Sequence, residues 1–143
     1  MKLFSKSKDG GPESNVTAFW LIEWKSVFSV ALLRFSNGTR SAYHSHAFNC
    51  FSWLLTGLLD EDIRHGGRTR YRPSLKPIWT GRDTYHKVRS QGTSWVLTFR
   101  GPWAKTWKED RHDGEVTLTH GRKIVAQKST PFREEANHYG IRI

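Results

Sequence analysis

His44 and His46 stand two residues apart in GTRSAYHSHAFNCFSWLLTG, the stretch from Gly38 to Gly57. Imidazole is the side chain most often used to hold a metal ion. Successive side chains on a strand point to opposite faces, so positions 44 and 46 would share a face, about 6.6 Å apart along the backbone. Two rings at that separation can lean onto one ion at roughly 2.0–2.1 Å. On a helix the same spacing splays them. The flanks suit a strand: Ser36-Asn37-Gly38 is a turn signal, and Cys50 to Thr56 is aromatic and apolar. The competing reading is a pair of histidines at a polar strand end, facing water. Spacing alone does not separate the two.

The elements that must position this pair are short strands. Candidates are Phe19–Trp24, Ser26–Phe35, Cys50–Thr56, Leu58–Arg64, Arg68–Arg72, Ile78–Thr80, Tyr85–Arg89, Ser94–Arg100 and Trp103–Glu109. A final hairpin is expected from Glu115–Thr119 and Arg122–Ala126 around His120-Gly121. No long helical period and no repeat is present. Short strands with turn signals every eight to twelve residues argue for an all-β sandwich or barrel. Residues 1–15 are polar, carry Gly10-Gly11-Pro12, and are expected to be a mobile lead-in. Residues 16–128 would form the barrel, and 129–143 a tail with an added edge strand at Tyr139–Ile143.

A chain of 143 residues suits one domain with a real core, and seven Trp and eight Phe supply its apolar area. One cysteine rules out an internal disulfide and fits a reducing compartment. The start, MKLFSKSKDGGPESN, has no apolar run, and the patches Ala18–Ile22 and Val30–Leu33 are too short to span a bilayer. A soluble, cytoplasmic protein with no membrane partner is the expectation. The net charge of +10, from 23 Lys and Arg against 13 Asp and Glu, favours anionic ligands such as nucleotides or phosphorylated or carboxylated small molecules. A merely basic surface is the plainer reading. No helix-turn-helix, zinc-finger or basic-helix pattern is present, so sequence-specific DNA binding is not expected.

The spacing around the histidines resembles the cupin superfamily. Its first motif runs Gly, five residues, His-x-His, three or four residues, Glu, six residues, Gly. Here Gly38, His44, His46, Cys50 and Gly57 meet every spacing, with Cys50 in place of Glu. The second motif is degenerate. His86 is the counterpart of its histidine, but Gly81, Asp83 and Ser90 stand where Pro, Gly and Asn are usual. The resemblance covers about residues 26–107. It implies a double-stranded β-helix, the cupin jelly roll, with a metal at its mouth held by His44, His46 and His86. Without the glutamate, the three neutral imidazoles resemble the site of cysteine dioxygenase-type cupins. That implies Fe(II) as the ion, with Zn, Mn or Ni as alternatives, and a small anionic substrate. It also implies a homodimer paired through sheet edges.

Cys50 has three readings: a fourth, soft ligand, a thiol lining the pocket, or a small buried hydrophobe. Arg100, at the end of an apolar strand, is a candidate to orient an anionic substrate. Arg68, Arg70 and Arg72 share one strand face, as a second anion site or as a solvated edge. Asp60, Glu61 and Asp62 read as an exposed acidic turn, with a carboxylate pair for acid–base work as the lesser alternative, and His65, His112, His120 and His138 as surface histidines. Alternation points Tyr43 and Tyr85 away from the metal. Trp103 and Trp107 would form an aromatic lip or cover a barrel edge. Two functions follow. One is a metal-dependent oxygenase of the three-His type, with Cys50 and Arg100 at its catalytic site. The other is a non-catalytic module binding an anionic or nucleotide-like ligand.

Overall fold

Two strands, β6 (Cys50–Thr56) and β11 (Ser94–Arg100), show how the sequence builds a wall. Cross-strand partners share a face, so the register Cys50 to Arg100, Ser52 to Thr98 and Leu54 to Val96 turns these six side chains inward together. The alternate residues Phe51, Trp53, Leu97 and Phe99 turn outward. A computed structural model describes residues 1–11, 14–39, 43–111, 114–119 and 123–128. The expectations for His112, His120, His138 and the strand at Tyr139–Ile143 fall outside the described residues.

The architecture is all-β, as the sequence implied, with two antiparallel sheets face to face. The first contains β1 (Lys2–Lys8), β2 (Val16–Trp24), β3 (Phe28–Phe35), β11, β6 and β9 (Ile78–Thr80), in that order. In the second, β14 (Lys123–Lys128), β13 (Gly114–Thr119), β12 (Thr106–Arg111), β5 (Tyr43–His44), β10 (His86–Ser90), β7 (Leu59–Ile63) and β8 (Arg68–Tyr71) lie side by side. A short β4 (Gly38–Thr39) pairs with β10. Val16, Ala18, Trp20, Ala31, Leu33, Leu54, Leu59 and Val96 fill the space between the sheets.

The amino terminus departs from expectation. Lys2–Lys8 is not a loose lead-in but a strand, antiparallel to β2 and extending the first sheet by one member. Polar composition concealed it because an edge strand needs only backbone pairing on one side, and lysines are common on such edges. Gly57, the last residue of the His-x-His motif, sits at φ +99 where the chain turns out of β6. A Cβ there would run into the Ser94 side chain and backbone, so both conformation and space demand glycine.

Candidate metal centre

Three strands of the second sheet deliver the histidines. β5 lies between β12 and β10, so His44 faces Glu109 on one side and His86 on the other. The strand expected under His-x-His is shorter than its motif: β5 ends at His44, and His46 follows just beyond it, its backbone N–H donating to the Arg82 carbonyl at 3.4 Å. The rings converge nonetheless. Their centroids form a near-equilateral triangle, 5.0, 5.0 and 4.8 Å on its sides, with ring planes 78°, 65° and 88° apart.

One ligand atom from each of His44, His46 and His86 lies within 4.8 Å of the others, and Cys50 is not in this group. Nε2 of His86 stands 3.4 Å from Nε2 of His46. Two nitrogens bonded to one ion at 2.0–2.1 Å are about 3.0 Å apart at a right angle and about 3.4 Å apart at the tetrahedral angle. The donor set therefore fits a metal ion.

Glu61 is the residue the sequence reading missed. Its acidic neighbours place it in an exposed turn; in the structure it is 8% exposed. Its carboxylate lies 2.5 Å from His86 Nδ1 and accepts the Tyr71 hydroxyl at 3.0 Å. With the Nδ1 proton on the Glu61 side, the lone pair of His86 is left on Nε2, facing His46. Burial works against the Glu61 carboxylate, but the hydrogen bond and electrostatic attraction of the His86 ring, and the hydrogen bond from Tyr71, hold its pKa below the ordinary 4.5. Burial and the Glu61 charge together push the Tyr71 hydroxyl up to about 12, so it remains a donor. The signal was present in the sequence: on a strand, Leu59, Glu61 and Ile63 share one face, and a carboxylate between two aliphatic residues points inward.

Asp60 and Asp62 take the opposite face and pair with Arg70 and Arg68 across β7 and β8. Those arginines form the solvated edge, not an anion site. Tyr43 and Tyr85 point away from the histidines, as alternation required: Lys87 lies over the Tyr43 ring, and the Tyr85 hydroxyl donates to Glu115.

The histidines border a cavity of about 520 Å³ between the sheets. Its walls include Trp20, Phe48, Cys50, Arg100, Trp103 and Trp107. Cys50 is buried in this wall, with the Ser52 hydroxyl 3.9 Å from its sulfur. Trp103 and Trp107 pack against Ala47, Phe48 and Cys50, an apolar end wall more than a free lip. Arg100 is 5% exposed, between the rings of Trp20 at 5.2 Å and Phe48 at 4.4 Å. Its two terminal nitrogens donate to the two Asp9 oxygens at 3.1 and 2.7 Å. The anion expected on Arg100 is thus supplied by the chain itself.

No family model matches the chain, and no curated protein matches it. Solved structures do. A sugar phosphate isomerase of the cupin superfamily from Silicibacter pomeroyi matches with a TM-score of 0.61 and 16% identity, covering 91% of this chain and 93% of that one. KdgF from Halomonas gives 0.52 and 13%, over 66% and 85% of the two chains. An ectoine synthase from P. lautus gives 0.54 and 13%, over 64% and 67%. At these identities the likeness establishes the fold, which is that of the cupins. No helix among the described residues is long and apolar enough to cross a membrane.

Proposed function

We propose, from the cupin fold and the three converging imidazoles, that this chain is a metal-dependent enzyme acting on a small molecule held in the cavity. The observation that carries the reading is the cluster of His44, His46 and His86, with a buried carboxylate fixing the proton of one of them. The three histidines would hold one divalent ion. If that ion were Fe(II), the three neutral imidazoles would leave its charge uncompensated, and it would supply non-haem oxygenase chemistry toward an anionic substrate.

The remaining roles belong to the protein. Glu61 keeps the Nδ1 proton on His86 and so presents Nε2 as a ligand. Tyr71 holds Glu61 in place. Trp20, Phe48 and Trp103 exclude water and pack on the apolar part of a substrate. Cys50 lines the wall beside them. Arg100, neutralised by Asp9, does not orient the substrate while that pair is closed; the substrate's charge would be met by the ion. Proteins of this fold include ones described as an isomerase and a synthase, so the fold itself does not choose the reaction.

Metal content of anaerobically purified protein, beside His44→Ala, tests the reading. About one iron per chain, lost in the variant, followed by substrate-dependent oxygen uptake, is the expected result. Stoichiometric zinc would keep the site and remove the oxygenase. A folded protein with no metal in either sample would overturn the proposal in favour of a ligand-binding module.

A further inference from the structure

A guanidinium grips a carboxylate end-on, with both terminal nitrogens, or side-on, with Nε and one of them. In Arg100 only the end-on grip is made. Both terminal nitrogens donate to Asp9, while Nε, buried with the rest of the side chain, meets no acceptor among the described residues. The cross-strand neighbours of Arg100 are Cys50 and Ser29, neither a carboxylate. Glu23, also in the cavity wall, attracts Arg100 only through space. A buried donor left without an acceptor carries the full penalty of its lost hydration. An ion pair serving stability alone has no reason to carry it.

The pair borders the same cavity as the histidines. Phe48 links the two: the His46 ring stacks on it at 5.1 Å, and the Arg100 guanidinium lies 4.4 Å from its centroid. Trp103 meets the same phenyl ring at 5.2 Å. With Trp20 and Phe48 on its faces, the guanidinium is open to a partner only in its own plane. The two ends of the ion pair differ. The Arg100 side chain is 5% exposed, that of Asp9 27%. The Asp9 backbone is pinned, its N–H donating to the Val16 carbonyl at 2.9 Å and its carbonyl accepting the Ser14 hydroxyl at 2.6 Å. Turning one short side chain toward water therefore opens the pair without moving a strand.

We propose that Arg100 is a carboxylate-binding subsite of the cavity and that Asp9 is its resident occupant, exchanged for the carboxylate of a ligand. A ligand carboxylate that takes Nε together with a terminal nitrogen must take that nitrogen from Asp9, which holds both. The exchange trades one single negative charge for another, so the buried guanidinium stays neutralised. A phosphate monoester would bring about −1.5 to −2 to a single guanidinium and is not matched. The ligand would present one group to the ion on one side of Phe48 and its carboxylate to Arg100 on the other. The subsite rests on the reading of the cavity as a substrate site only for the ligand's role; the exchange itself needs no metal.

Phenylacetate, whose ring suits the aromatic wall, is the probe, titrated calorimetrically into the chelator-treated full chain. Phenylacetamide is the uncharged control and benzylphosphonate the dianion. A site whose occupant is mostly in place binds more weakly by the fraction of time it is open. Asp9→Asn keeps an acceptor beside Arg100 and removes the competing charge, so it should bind phenylacetate at least about tenfold more tightly than the wild type. Asp9→Ala should do the same, and the probe should raise its melting temperature more than that of the wild type. Melting curves without probe establish that each variant is folded. Arg100→Met should lose the preference for phenylacetate over phenylacetamide. Equal affinity in the wild type and Asp9→Asn would overturn the exchange, as would binding indifferent to Arg100→Met or no binding to any of these proteins. Tighter binding of benzylphosphonate would overturn the assignment to a carboxylate. The same titrations in His44→Ala separate this subsite from the metal: the tenfold gain should persist there. Binding seen only after metal is added would place the anion on the ion and overturn the subsite.

Discussion

Glu61 and His86 form a buried carboxylate–imidazole pair 2.5 Å apart, set diagonally across adjacent strands, with Glu61 opposite Val88 and His86 opposite Ile63. The pair fixes which nitrogen of His86 is free to bind. Because that nitrogen faces His46 at 3.4 Å, the orientation of one candidate ligand ring is set from the neighbouring strand of the same sheet. A carboxylate absent from the ligand positions is therefore still electrically part of the site.

Replacing Glu61 by Gln keeps an acceptor near His86 and a partner for Tyr71, but removes the charge. Affinity for Zn(II) or Co(II) should fall about 10–100-fold. Competition with a chelator measures it, while the melting temperature without metal should change little. Unaltered affinity would show that His86 is oriented by packing alone.

Asp9 and Arg100 predict an ordering of stabilities. Asp9→Ala strands a guanidinium that is 5% exposed, and loss of one partner of a buried ion pair costs about 3 kcal/mol. Arg100→Met removes the charge and keeps an apolar stem against Trp20 and Phe48, so it should cost less. Urea unfolding of both variants decides the matter; the reverse order would mean that Asp9 is held mainly by its backbone.

Strands were legible in the sequence where alternation met β-branched or aromatic residues: Cys50–Thr56, Ile78–Thr80 and Ser94–Arg100 have the bounds their composition suggested. The three histidines were legible as a group because a shared ion would impose spacing on its candidate ligands. Lys2–Lys8 was hidden, since an edge strand carries no compositional demand on its open side. Glu61 was hidden by its neighbours: three acidic residues in a row read as solvated until the two faces of the strand are separated. Asp9 on Arg100 was beyond reach, because it joins residues 91 positions apart through a fold that the sequence does not spell out.

Acid should weaken the β7–β8 edge. Hydrogen bonds from Arg70 and then Gln91 hold the Asp60 carboxyl at about 2, against an ordinary 3.8. A group depressed in the folded state contributes fully above its unfolded pKa and loses that contribution as pH falls through the folded one. The window thus runs from about pH 4 down to about pH 2. Asp60→Asn should lower the melting temperature slightly at neutral pH and flatten its decline across that window. The effect is small because the pair faces water. Thermal melts at several pH values measure it, and parallel curves for the two proteins would remove the Asp60–Arg70 pair from the acid response.

Gly57 gives the sharpest test of the turn that closes the histidine motif. Alanine there meets both a positive φ of +99 and the Ser94 side chain, so Gly57→Ala should cost well over about 1 kcal/mol. Ser94→Gly clears the side-chain part of the clash and leaves the Cα. It also has its own cost, since the Ser94 hydroxyl accepts the Leu58 N–H at 3.1 Å and bonds Ser90 at 2.7 Å. In a double-mutant cycle read by urea unfolding, the pair together should therefore be less destabilised than the sum of the two single changes. Strict additivity would place the strain in the φ of residue 57 and its approach to the Ser94 Cα, and none in its contact with the Ser94 side chain.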